Sequence, residues 1–229
     1  MVHSVDHLVD RMLALADAGG LDAQTPGTQT PGAQQPARVV LGIVGAPGAG
    51  KSTLAERLAA EAAARGRGDE VAVLPMDGFH LADTALARLG RLDRKGAIDT
   101  FDGYGVLAML RRIASERDHT VYAPAFERTL EQPIAGSIPI DPAVRIVIVE
   151  GNYLLDLEEP WRHIRALLTE AWFVHAPDDI RVPRLVARHE RFGKSPADAR
   201  AWVARVDEPN ARRIATTREL ADLVVTVNG

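Results

Sequence analysis

Gly45-Ala46-Pro47-Gly48-Ala49-Gly50-Lys51-Ser52 satisfies G-x-x-x-x-G-K-[ST], with Thr53 next in line. Glycines at these spacings let the backbone wrap, so that successive N–H groups converge on phosphate oxygens. Lys51 can reach the β- and γ-phosphates, and the Ser52 hydroxyl can ligate Mg²⁺. The chemistry implied is the binding of a nucleoside triphosphate by residues 45–53. Binding alone does not say whether the terminal phosphoryl group goes to an acceptor or to water.

The acidic residues bear on that choice. Asp77, in Met76-Asp77-Gly78-Phe79-His80, follows a short apolar run. A carboxylate there would face the γ-phosphate and take the proton of an attacking hydroxyl; otherwise it is an ordinary turn or cap aspartate. Phe79 offers a surface to an acceptor, and His80 stands out among the histidines as a neighbour of Asp77. Glu150 ends the most apolar run, Ile146-Val147-Ile148-Val149, where a carboxylate commonly holds Mg²⁺ directly or through water. Asp102, between Phe101 and Gly103-Tyr104, either hydrogen-bonds a polyol or ribose or sits in a solvated turn. Arg181, Arg184, Arg188 and Arg191 recur every three or four residues, which puts four guanidinium groups on one helix face. Such a face is either solvated or a clamp for a transferring phosphoryl group, and Gly193 beyond it allows a hinge.

Strands and helices must hold these groups. Apolar runs at 39–44, 71–74, 145–149, 171–174 and 223–227 read as strands buried on both faces. Helical patterns at 52–65, 105–116, 161–169, 180–191 and 196–205 fall between several of them. The expectation is an α/β, three-layer P-loop NTPase fold: a doubly wound, five-stranded parallel sheet with a helical lid. In such sheets ligands bind at the carboxyl ends of the strands, where residues 45–52, Asp77 and Glu150 fall. Ahead of this domain, assigned to 38–229, residues 1–18 carry an amphipathic helix (Val5, Leu8, Val9, Met12, Ala16). Residues 19–37 are rich in Gly, Pro, Thr and Gln and read as a linker.

Bulk composition narrows the field. The 229 residues suit one domain with a sizeable core, and the net charge of −4 supplies no polycationic surface for nucleic acid. Cysteine is absent, which excludes disulfides and thiolate metal sites and fits a cytoplasmic setting. No apolar run suggests a membrane span or a secretory leader. A homodimer is compatible with all of this. A guanine-reading Asn-Lys-x-Asp motif is missing, which counts against a GTPase-like switch acting on a protein partner.

Taken together, residues 45–52, 76–80, 99–102, 122–128 and 150–153 and the arginine-rich stretch resemble the phosphoribulokinase/uridine kinase family of P-loop kinases. The phrases Met76-Asp77-Gly78-Phe79-His80-Leu81, Arg94-Lys95-Gly96-Ala97, Glu150-Gly151-Asn152-Tyr153 and Asp207-Glu208-Pro209-Asn210-Ala211 narrow the likeness to bacterial nucleoside/nucleotide kinase and fructose transport system kinase families. The resemblance implies ATP and Mg²⁺, with γ-phosphoryl transfer to a hydroxyl of a nucleoside or sugar-like metabolite; pantothenate-type and phosphosugar kinases are the alternatives. It implies Asp77 as base, Ser52 and Glu150 at the metal, and a lid arginine or two; we take Arg184 and Arg188, with Lys51, as the catalytic cations. It adds Asp102, Tyr104, Arg128, Asn152 and Tyr153 to Phe79 and His80 as acceptor contacts, with 122–128 as a substrate loop. Where uridine kinases carry Tyr-Asp-Phe near the proline, this chain has Ala125-Phe126-Glu127-Arg128, which points away from uridine itself.

Overall fold

The computed structural model describes residues 4–21 and 37–226, so the linker expected at 19–37 lies mostly outside the described residues. Five strands form one sheet: β1 (Val39–Val44), β2 (Val71–Pro75), β5 (Ile146–Gly151), β6 (Glu170–His175) and β7 (Leu223–Thr226). All pairs are parallel and the order is β2-β5-β1-β6-β7. Two further strands, β3 (Val121–Glu127) and β4 (Gln132–Ile140), pair antiparallel as a separate hairpin.

Both faces of the central sheet are covered, which explains the unbroken apolar runs. In β1 and β5, Leu41, Ile43, Ile146 and Ile148 pack with α1 (Val5–Leu21) and α2 (Lys51–Ala64). Their alternates Val40, Val44, Val147 and Val149 face α4 (Gly103–Ser115) through Val106, Leu110 and Ile113. The period of two along each strand thus feeds two cores.

The first helix is built into one of them. Leu8, Val9, Met12, Leu13 and Ala16 are all buried, the i, i+3, i+4 stripe of an amphipathic helix. Its polar side is fastened too: Arg11 donates twice to the Glu170 carboxylate at 2.8 Å, and Arg67 grips Asp17. α1 is therefore a layer of the domain, and the division expected at residue 18 falls inside it. Leu8→Ala should cost about 2–5 kcal/mol by leaving a cavity, read as a lower denaturant midpoint in urea unfolding.

Several elements differ from expectation. Residues 161–169 form two 3₁₀ turns, Trp161–His163 and Arg165–Leu167, in place of one helix. Trp161, Ile164 and Leu168 are buried, and spacings of three and four suit a three-residue turn as well as an α-turn. The helix expected at 196–205 becomes α6 (Pro196–Trp202), a π-helical turn (Val203–Asp207) and α7 (Glu208–Ala215). Residues 122–128 are mostly strand β3 where a loop was expected. The hairpin escapes notice because β4 is largely exposed and holds two prolines and a glycine, so no clean alternation marks it. The remaining helices are α3 (Asp83–Leu89) and α5 (Asp178–Arg191). No helix among the described residues is long and apolar enough to cross a membrane.

Candidate active site

Strand register assembles the site. Glu150 lies opposite Ile43 on one side and Pro75 on the other. The carboxyl end of β5 therefore sits between the start of the phosphate loop, two residues past Ile43, and Asp77, two residues past Pro75. Three segments far apart in sequence converge at one sheet edge.

The loop is held in a folded cradle. Lys51 is buried, and its Nζ donates to the carbonyls of Gly45 at 2.9 Å and Ala46 at 3.1 Å. Burial pushes its pKa down to about 8, although Glu150 and Asp77 oppose the shift. Gly48 has φ +78°, and a Cβ there would stand 2.8 Å from Leu185 Cγ and 2.9 Å from the Arg181 carbonyl. The glycine thus lets the arginine helix α5 pack directly on the loop.

Ser52 and Glu150 touch: the hydroxyl donates to Oε1 at 2.9 Å. Glu150 is buried, and burial, reinforced by the charge of Asp77, raises its pKa. A hydroxyl and a buried carboxylate at the mouth of the cradle are hard oxygen donors suited to Mg²⁺, which commonly takes its other ligands from phosphate and water.

Asp77 lies in a short 3₁₀ turn after β2, and its Oδ2 accepts from Arg128 Nη2 at 3.1 Å. Arg128 comes from the turn of the β3–β4 hairpin, and its guanidinium carbon is 5.8 Å from the ring of Phe126 and 6.0 Å from that of Phe192, beside the end of α5. Gly78 makes the approach of the hairpin feasible, since a Cβ there would meet the Pro124 carbonyl oxygen at 2.3 Å. His80 donates from Nδ1 to the Asp77 carbonyl, at 2.9 Å, because that oxygen can only accept. Its ring packs at 4.0 Å on Phe101 and 4.9 Å on Phe126, and burial lowers its pKa, so it is neutral near pH 7.

A cavity of 1020 Å³ runs from the cradle along α2. Lys51, Arg57, Arg128, Arg184, Arg188 and Arg191 line it against one acid, Glu56, so its field suits a polyanion. Among the described residues, no side-chain hydrogen bond or ion pair engages the guanidinium groups of Arg184, Arg188 or Arg191. Arg181 differs from its three neighbours. It is buried, bound to Asp178 and Glu208, and donates to the Pro47 carbonyl, so its charge is already committed.

Two residues expected at the acceptor are inside the protein. Tyr153 is fully buried, gives its hydroxyl hydrogen to the Gly96 carbonyl at 2.8 Å and packs on Phe101 and Trp161. Phe79 is buried in the same core. Both follow strand ends closely, and the sequence shows their type without their direction. The carboxylate of Asp102 caps α4, accepting from the Gly105 N–H at 2.8 Å, and Tyr104 is exposed on the first turn of that helix. Neither lines the cavity, and the half-buried Asn152 does not line it either. Asp77, His80 and Glu150 also lie outside its lining; Asp77 meets it through Arg128 and Glu150 through Ser52. Conversely, Ser4 just before the first helix, Val5 and Leu8 within it, Arg57, and Val225 and Thr226 at the end of β7 line the cavity unforeseen. The signal available for the β7 pair was the rule that strand carboxyl ends carry ligands.

A parallel sheet with this order, a phosphate cradle after β1 and carboxylates after β2 and at the carboxyl end of β5 define a P-loop kinase. Comparison with known proteins agrees. The chain is 37% identical over 133 residues to the ATP-dependent kinase-like protein notR' of Aspergillus versicolor, covering 55% of this chain and 77% of that one. It is 33% identical over 156 residues, 66% of each, to a provisionally named uridine kinase of Schizosaccharomyces pombe. A solved structure from Silicibacter sp. TM1040, provisionally described as a fructose transport system kinase, superposes with TM-score 0.76 at 36% identity, covering 92% of this chain and 98% of that one. A family model, the methylmalonyl Co-A mutase-associated GTPase MeaB, matches residues 31–82, the stretch that holds β1, the cradle, α2 and β2. The chain belongs to the phosphoribulokinase/uridine kinase family of P-loop kinases and is an ATP-dependent kinase.

Proposed function

We propose that the protein transfers the γ-phosphoryl group of ATP to a hydroxyl of a nucleoside or sugar-like metabolite, with Asp77 as general base. The observation that carries this reading is the placement of the Asp77 carboxylate. It is paired with the cavity-lining Arg128, one strand away from the Ser52–Glu150 contact. A hydrolytic switch gives a carboxylate paired with a hairpin arginine at that point no role.

In the proposed reaction the triphosphate lies along residues 45–53, with its terminal phosphate toward Asp77. Ser52 and Glu150 would hold Mg²⁺, which when bound neutralises β- and γ-phosphate charge. The acceptor docks between His80, Phe126 and Arg128 and displaces Arg128 from its pairing with Asp77. Asp77 takes the hydroxyl proton as the new O–P bond forms, and the bond from the γ-phosphorus to its bridging oxygen breaks to release ADP. Lys51, Arg184 and Arg188 stabilise charge on the moving group, and positioning supplies most of the rate. Closure of α5 excludes water, the competing acceptor.

Acceptor-dependent ADP release tests the assignment. A screen over nucleosides, pentoses, hexoses and vitamin precursors should find a compound that raises ADP formation well above the rate in its absence. ADP release that stays the same with every compound would argue for hydrolysis.

Nucleotide affinity should also depend on pH. The phosphates favour protonated Lys51, and in the free protein that lysine gives up its proton near pH 8. Above this pH, binding must take up a proton. Affinity for Mg·AMP-PNP should be flat up to about pH 7.5 and then fall, by at most about tenfold per pH unit. Calorimetry across pH 7–9.5 checks this, and a flat profile would count against Lys51 as a phosphate ligand.

A further inference from the structure

We infer that Asp207, Glu208 and Asn210 form a positioning hub that couples the loop at 94–100, on the acceptor side, to the arginine helix and the phosphate cradle. It rests on the proposed reading of which side of the site takes the acceptor.

Three polar side chains within four residues reach three separate parts of the site. Asp207 Oδ2 accepts from His189 Nε2 of α5 at 2.8 Å. Glu208 Oε1 accepts from Arg181 Nη2 at 2.5 Å, and the same arginine donates through Nη1 to the Pro47 carbonyl of the cradle at 3.3 Å. Asn210 Nδ2 donates to the Gly96 carbonyl at 3.2 Å. Arg205, just upstream, adds a bond to the Asp93 carbonyl at the head of the same loop.

The loop is a built structure. The Gly96 carbonyl also accepts from Tyr153, the Gly96 N–H donates to Thr100 Oγ1 at 2.9 Å, and the Thr100 side chain is fully buried. Its Lys95 reaches Asp83 at 2.7 Å and stands 5.3 Å from the ring of Phe126, the aromatic wall beside Arg128. Movement of the loop therefore moves the Lys95–Phe126 contact beside Arg128, on the side where the acceptor is proposed to dock.

Asp207 and Asn210 are buried, so each bond left unmade is costly. The π-helical turn at Val203–Asp207, a local form that recurs at functional sites, ends at the first of the three side chains, immediately before α7 carries the other two. An apolar segment would glue α7 in place equally well. Polar bonds to cradle, lid and loop instead make each of them sense the others: nucleotide that tightens Pro47 and Arg181 pulls on Glu208, and through α7 on Gly96.

Hydrogen exchange with Mg·AMP-PNP as probe reads this coupling without a known acceptor. In the wild-type protein the nucleotide should slow exchange at 45–53 and, at least threefold, at 94–102. In Asn210→Ala the slowing at 45–53 should persist, with the dissociation constant within about twofold, while the effect at 94–102 disappears. Tyr153 keeps its own bond to Gly96 in that variant. Glu208→Gln, which preserves side-chain volume, should weaken Mg·AMP-PNP several-fold and also lose the distant effect; it serves as the second reading if Asn210→Ala lacks a cooperative thermal transition. Equal slowing at 94–102 in wild type and variants, or none in wild type while 45–53 is protected, overturns the hub alone. Absence of protection at 45–53 in wild type would instead strike the nucleotide site itself.

Discussion

Asp77→Asn should lower kcat by about 10²–10⁴, the range expected when a general base is lost. Asparagine keeps the shape of the side chain and cannot accept the hydroxyl proton. The substitution breaks the ion pair with Arg128, but both partners are partly exposed, and pairs of that kind are worth about 1 kcal/mol or less. Thermal stability should therefore barely change. ATP affinity should hold or improve, because a negative charge facing the phosphates has been removed. Measured together, a collapsed kcat with an unchanged or lower KM for ATP separates loss of chemistry from loss of binding. A variant with near-normal kcat would take Asp77 out of the reaction and leave Arg128 as a simple surface partner.

Lys51→Ala should lower kcat by a further characteristic amount, about 10²–10³, the effect of deleting one preorganised donor to developing charge. Unlike Asp77, it should also weaken ATP binding. Stability supplies the control. The folded-state pKa of Lys51 is about 8, below its ordinary 10.5, so the folded protein resists a proton that the unfolded chain accepts freely. The charge thus costs stability below pH 8, and the cost fades as pH rises from about 8 toward 10.5. Removing it at pH 7 relieves that cost, against the loss of two bonds to Gly45 and Ala46. The variant should remain folded with its turnover cut by that factor, as steady-state kinetics and a thermal melt together would show.

The contrast between Asp77 and Tyr153 shows what the sequence could and could not convey. The cradle was legible because its chemistry constrains backbone conformation as well as residue type, and the strands were legible because both their faces are buried. Asp77 and Glu150 could be placed at one edge from strand ends alone. Tyr153 and Phe79 could not, since an aromatic residue near a strand end points into a core or into a site according to packing that no local pattern records. Asp102 was visible as a polar residue before a helix, and in the structure its carboxylate serves as the cap of α4. Four arginines at helical spacing looked equivalent. Arg181, however, meets Pro47, Asp178 and Glu208, while the other three face the cavity. Two of those three partners, Glu208 and Pro47, lie twenty-seven or more residues away in the chain. The hairpin that brings Arg128 to Asp77 was hidden by prolines and exposure, and α1 gave its amphipathic stripe but not the partner that the stripe covers.

The fate of the terminal phosphoryl group tests the account most directly. The protein would be incubated with ATP labelled at the γ-phosphoryl position, a panel of nucleosides, sugars and vitamin precursors, and the small-molecule fraction of a cell extract; products would then be separated. The label should appear in an organic phosphate ester, and that ester should be missing when Asp77→Asn replaces the wild type. Label found solely in inorganic phosphate, at a rate indifferent to every added compound and to the substitution, would contradict transfer across the gap between Asp77 and the cradle.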